Sequence, residues 1–161
     1  TTEIYTLSLH DALPISGAWV LHLMLAGQTR LPPAVARMLG FIDLVTLVYL
    51  ATAFTLALAH RRDVQLHARW MATTLLILLP PALTRLMFAL FGAIPLPQAL
   101  TLAFGLLLAV CAALVYVDWR GGRLRAPYVA VALTLGCTYA MLGTVPASPL
   151  WTAIAAWLGG K

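Results

Sequence analysis

Charge is scarce in this chain of 161 residues: 9% are Asp, Glu, Lys or Arg and 62% are hydrophobic, where an average soluble domain has about 25% and about 45–50%. Glutamate occurs once (Glu3), lysine once (Lys161) and serine three times. A water-soluble globule needs polar side chains to cover its outside, so this shortage excludes a soluble enzyme, a nucleic-acid-binding domain and a disordered tail. Cysteine is limited to Cys111 and Cys137 with no C-x-x-C spacing, so metal or thioredoxin-type chemistry has no support. Both lie in apolar runs, where a thiol behaves as a small inert hydrophobe. No G-x-G-x-x-G, Walker A, H-E-x-x-H or G-x-S-x-G pattern occurs, and no catalytic residue or metal ligand is assigned.

What is present is long apolar runs. A membrane-spanning helix needs roughly 20 such residues at about 1.5 Å rise each. Five candidate spans follow, at about 17–27 (partial), 38–60, 70–90, 99–117 and 128–145, with a short apolar piece at 150–158 that is interfacial or a truncated helix. The expectation is an all-α, multi-pass transmembrane helix bundle over residues 17–161, with four complete spans, a clipped first helix and a short C-terminal helix.

The links carry the charge. Arg61, Arg62 and Arg69 fall in one link, and Arg120, Arg123 and Arg125 in another on the same side of an alternating topology. The opposite side has Arg30 and Arg37 only. Six basic residues against two place links 61–69 and 118–127 in the cytoplasm, by the positive-inside rule. Trp70, Tyr116, Trp119 and Tyr128 sit at the same boundary, as an aromatic belt does. Arg-rich links also attract anionic lipid headgroups, so the basic balance calls for lipid partners and not for nucleic acid.

Asp43 and Arg85 are the ionisable residues well inside spans, each costing about 2.5–3.5 kcal/mol to insert. Their depths match across an antiparallel hairpin, which predicts a carboxylate–guanidinium pair. His22 falls at a similar level. His22, Asp43 and Arg85 thus form a candidate intramembrane polar cluster, either a clamp that fixes helix pairing or a proton-linked or ligand site. A charge swap, Asp43→Arg with Arg85→Asp, is expected to recover folding lost in either single variant, read as thermal stability in detergent. No recovery counts against the pair.

Pro80 and Pro81 lie inside the third span. They deprive the carbonyls of Leu76 and Ile77 of their donors and predict a kink, with a hinge as the alternative. Thr73, Thr74 and Thr84 are near enough to supply hydroxyls. His67, Met71, Thr74, Leu78, Pro81 and Arg85 recur at three- and four-residue steps and share a face, yet His67 and Arg85 are about 27 Å apart along the axis.

His67-Ala68-Arg69-Trp70-Met71 and Leu83-Thr84-Arg85-Leu86 resemble motifs of an uncharacterised family of bacterial multi-pass membrane proteins, domain of unknown function 2306. The double proline departs from that pattern. The resemblance covers residues 61–87 and implies a bacterial inner-membrane protein, not an activity. Analogy by fold adds haem or terminal-oxidase assembly. His60 and His67 match in depth, with Arg61, Arg62 and Arg69 nearby. His60, His67 and Arg69 are therefore candidate contacts either for lipid headgroups or for a haem. Gly136, Ala140 and Gly143 on one helix, and Ala109 and Ala113 on another, make small-residue faces for helix packing or for a homo- or hetero-oligomer.

The first sixteen residues differ from the rest and hold Glu3, His10 and Asp11. They resemble the in-frame translation of a sequencing adaptor, which implies that they are an artefact without function and that the genuine start is missing. The functional expectation is a non-catalytic structural or assembly protein. The alternatives are a haem- or quinone-linked redox module and a small proton-linked transporter or channel.

Overall fold

The computed structural model describes residues 16–28, 31–92, 94–122 and 125–160. Among them the chain is all-helical and has no strand. The helices are α1 (Ser16–Leu25), then α2 (Pro33–Ala59), α3 (Val64–Phe91), α4 (Leu96–Arg120), α5 (Ala126–Met141) and α6 (Pro149–Leu158), with a 3₁₀ turn at Val145–Ala147. The adaptor-like run lies outside the described residues up to position 15.

Three helices are long and apolar enough to cross a membrane: α2, α3 and α4, with 27, 28 and 25 residues. At 1.5 Å per residue they measure about 38–42 Å, more than the ~30 Å hydrocarbon core. The expected fourth complete span is α5, and it has 16 residues, about 24 Å. It stops at Met141 instead of 145, where Thr144 N–H closes a turn on the Met141 carbonyl at 3.1 Å and Pro146 follows in the 3₁₀ turn. The long helices extend past the expected boundaries at their starts because proline and aspartate set them. Pro33 opens α2, Pro97 sits in the first turn of α4, and the Asp63 carboxylate accepts from Leu66 N–H at 3.1 Å to cap α3. Each device serves backbone N–H groups that a first turn leaves unpaired or does without one. Arg37 and Arg69 consequently lie in helices and not in links, and so does Arg120, with which α4 ends.

In the long helices only 28–33% of the most apolar stretch is buried within the protein. An apolar helix that its own chain does not cover needs another apolar medium, and a lipid bilayer supplies it. Three helices of this length and apolarity are compatible with an integral membrane protein.

The chain divides into two compact units, Thr1–Ala51 with Ala140–Lys161, and Thr52–Tyr139. In the first, Leu21, Met24 and Leu25 of α1 pack with Ala36 and Phe41 of α2 and with Trp151 and Ala155 of α6. Trp151 meets Phe41 edge-on, with ring centroids 5.5 Å apart, and its indole N–H donates to the Arg37 carbonyl at 3.0 Å. The start of α6 is built locally: Ser148 Oγ accepts from Trp151 N–H at 3.2 Å, and Pro149 needs no partner.

In the second unit α3 and α4, joined by the short link 92–95, pack as a hairpin. Leu100, Ala103, Phe104, Leu107, Cys111 and Asp118 of α4 face inward, as do Trp70, Thr73, Thr74, Ile77, Pro80, Thr84 and Met87 of α3. These steps of three and four make one seam per helix. The α3 seam is rotated from the face read in the sequence: Pro81 and Arg85 are exposed, and Pro80 and Thr84 are buried. α5 adds Val131, Leu135 and Thr138. Phe104 stacks near Tyr139 at 5.6 Å, and the Tyr139 hydroxyl meets Thr101 Oγ1 at 3.0 Å. Of the small residues, Gly136 faces Leu108, while Ala109, Ala113, Ala140 and Gly143 are exposed.

Helix α3 continues through Pro80 and Pro81. The threonines do not supply the missing donors. Thr73 and Thr74 hydroxyls donate to the Trp70 and Met71 carbonyls at 2.8 and 2.6 Å, and Thr84 donates to the Pro80 carbonyl at 2.8 Å. A hydroxyl has one proton to give, and each is spent on its own preceding turn, which lets a polar side chain sit in an apolar seam.

Candidate functional site

The polar groups at the end of the second unit that holds the α2–α3 and α4–α5 links are organised around Arg69. It lies in the second turn of α3, and its Nη1 donates to Asp118 Oδ2 in the last turns of α4. Asp118 is 6% exposed and Arg69 25%. The guanidinium also lies over the ring of Tyr128, in the first turn of α5, 5.5 Å from its centroid. One side chain thus ties three helices: a carboxylate satisfies one edge of the planar cation and an aromatic face covers it. Among the described residues this is the ion pair that the protein makes.

Tyr128 is visible in the sequence as a belt residue, and Asp118 stands two positions before Arg120. Their partnership with Arg69 is not marked by the apolar pattern, because all three lie near span ends and not deep within them. Arg69 and Asp118 fall on the same side in the alternating topology, so a match of depths would have paired them.

The histidines have their own roles. Beside the α2–α3 turn, His60 Nδ1 donates to the Leu56 carbonyl at 2.8 Å, and His67 Nδ1, from the first turn of α3, donates to the Ala57 carbonyl at 2.8 Å. These carbonyls belong to the last turn of α2: the Leu56 carbonyl accepts from the His60 backbone N–H at 3.0 Å as well as from its ring, and the His67 ring caps the Ala57 carbonyl from across the turn. A carbonyl can only accept, so Nδ1 carries the proton in each ring. In the first unit His22 Nδ1 donates to the Leu158 carbonyl at 2.7 Å and holds the end of α6 to α1. Beside it Gly159 comes so close to α1 that an added Cβ would stand 2.7 Å from the Leu25 carbonyl oxygen.

The remaining expected residues are placed as follows. Asp43 is half-buried on α2 within the first unit, and Arg85 is exposed on α3 within the second. Arg85 lies six residues before the end of α3, about 9 Å along the axis, within reach of a side chain that extends toward the headgroups. Arg61 and Arg62 are exposed in the turn. Arg30 and Arg123 lie outside the described residues. Among the described residues no group of three His, Cys, Asp or Glu side chains is placed to hold a metal ion.

Comparison with protein-family models, curated proteins and solved structures finds no match to this chain.

Proposed function

We propose that this protein is a non-catalytic component of the bacterial inner membrane with a structural or assembly role, its Arg-bearing links 61–69 and 118–127 facing the cytoplasm and anionic headgroups. One observation carries this reading. The polar side chains best suited to chemistry hold helices instead: His22, His60 and His67 each donate to a backbone carbonyl, and Arg69 is neutralised by Asp118. A general acid or base has to be held for a substrate by its surroundings, whereas Nδ1 of each ring and one edge of the Arg69 guanidinium are committed to closing the fold, which leaves Nε2 of each histidine for any other role.

The test combines extraction and labelling. The protein is expected to stay with the membrane pellet after alkaline carbonate treatment, and release would sink the membrane reading. In a background with Cys111 and Cys137 replaced, Ile94→Cys is expected to react with an impermeant maleimide in intact cells. Gly121→Cys is expected to react only after permeabilisation, and the reverse pattern overturns the orientation. Purified protein carrying a Soret band would replace this reading with the redox one. In that case the Nε2 atoms of His60 and His67 supply the ligands, because a backbone bond at Nδ1 sets the tautomer that coordinates through Nε2.

A further inference from the structure

We propose that two copies of this protein associate within the bilayer through an ion pair between Asp43 of one copy and Arg85 of the other. The association rests on the membrane placement proposed above. Among the described residues Asp43 and Arg85 are the charged side chains well inside the long apolar helices α2 and α3. Neither side chain makes an ion pair or a hydrogen bond among those residues. Asp43 is half-buried and its carboxylate oxygens are not among the atoms closed off from solvent, and Arg85 is exposed, so a second chain can reach both.

A charge in hydrocarbon is costly, and such residues pair with one another. Arg85, six residues before the end of α3, has the headgroups as an alternative. Asp43 has none. It lies ten residues after Pro33, about 15 Å along α2, and its short side chain cannot span that distance to water. A carboxylate held there needs a cation. Arg37, the arginine described in the first unit, makes no ion pair with it. Arg85 of another copy is a guanidinium whose two N–H groups fit both oxygens of that carboxylate. The pair joins the first unit of one copy to the second unit of another.

The heights of the two groups suit copies that share one orientation in the bilayer. Consecutive spans alternate in direction, so α2 starts on the side where α3 ends. Measured from those two helix ends, the positions of Asp43 and Arg85 differ by about 6 Å. Each Cα–Cβ bond tilts toward its own helix N-terminus, so Asp43 leans toward that side and Arg85 leans away from it, and the long arginine stem closes the gap. Ala82 and Ala89, three residues before and four after Arg85, are exposed. They share its face of α3, and their small size lets the second copy's helix come near the guanidinium.

The experiment is energy transfer between donor- and acceptor-labelled populations of the full-length protein in phosphatidylcholine vesicles, at varied protein-to-lipid ratio. Wild type is expected to associate, and Asp43→Asn and Arg85→Gln each to weaken association about tenfold. Asp43→Arg and Arg85→Asp are each expected to stay apart alone and to associate when mixed, because a mixed contact again sets a carboxylate opposite a guanidinium. A pair made within one chain gives the opposite result, since neither chain of the mixture then carries both charges. Thermal unfolding reports whether each variant is folded. Arg85→Gln changes an exposed position and decides alone where the Asp43 variants do not fold. A monomeric wild type, association unchanged in folded Asp43→Asn or Arg85→Gln, or a mixture of folded charge variants that stays apart would each overturn the proposal. Carbonate treatment keeps the two readings separate: a protein retained in the membrane pellet but monomeric overturns the association alone, and a released one overturns the membrane placement with it.

Discussion

Gly159→Val is expected to detach α6 from the first unit. At Gly159 a Cβ would stand 2.7 Å from the Leu25 carbonyl oxygen, 2.8 Å from its carbon and 3.0 Å from the Ala26 nitrogen. All three are backbone atoms at the end of a helix, so none can swing aside as a side chain does. Overpacking against side chains costs about 1–3 kcal/mol, and a clash with backbone belongs at the upper end or beyond. The losses then couple. His22 can no longer reach the Leu158 carbonyl, and the Trp151 bond to Arg37 and its contact with Phe41 lose their support. Each hydrogen bond contributes about 1 kcal/mol and the aromatic pair about 0.5–1.5 kcal/mol. A ten-residue helix such as α6 is marginal without tertiary contacts, since isolated helices shorter than about 12–15 residues rarely persist. Hydrogen exchange of the α6 amides in detergent checks this, with rates rising across the helix while those of α3 and α4 stay low. Gly105→Ala is the control, because nothing lies within 4 Å of its Cβ position, and removing a helical glycine adds about 0.5–1 kcal/mol. Unchanged α6 exchange in Gly159→Val would mean that the close approach is absent.

The second large effect is an asymmetry. Arg69→Met is expected to destabilise the second unit by about 3–5 kcal/mol, because it strands a carboxylate in a buried place. Asp118 is 6% exposed and has no other cation among the described residues. Asp118→Asn is expected to cost less, about 1–3 kcal/mol. The guanidinium it releases is a quarter exposed and keeps the face of Tyr128, so it can turn toward water or headgroups. Arg69→Met with Asp118→Leu is expected to recover most of the loss, since replacing a buried pair by apolar groups is often close to neutral. A double-mutant cycle of unfolding in mixed micelles measures all three. Equal losses from the two single variants would contradict the difference in burial.

Apolar run length marked α2, α3 and α4 because hydrophobicity accumulates along the chain and needs no partner to be read. Boundaries moved by several residues where Pro33 and Asp63 start helices, since caps act at single positions that a hydropathy window averages away. The 16 residues of α5 were read as a longer span because Leu142 and Val145 continue the apolar run after the backbone has turned at Met141. The rotation of the α3 seam illustrates a further limit. Several faces of a helix in lipid are apolar, so periodicity cannot say which of them meets protein.

Composition and charge order alone give an all-α chain with helices apolar and long enough for a membrane, and with arginine gathered beside particular turns. Those properties are sums over residues and hold for any arrangement of the helices. Packing in three dimensions decided that Arg69 answers Asp118 across 49 positions, that His22 holds Leu158 across 136, and that the Trp151 indole reaches the Arg37 carbonyl across 114. Each depends on which helix faces meet and at what height. Lipid, a solvent that rewards apolar surface everywhere, leaves that choice to a few close contacts such as the one at Gly159.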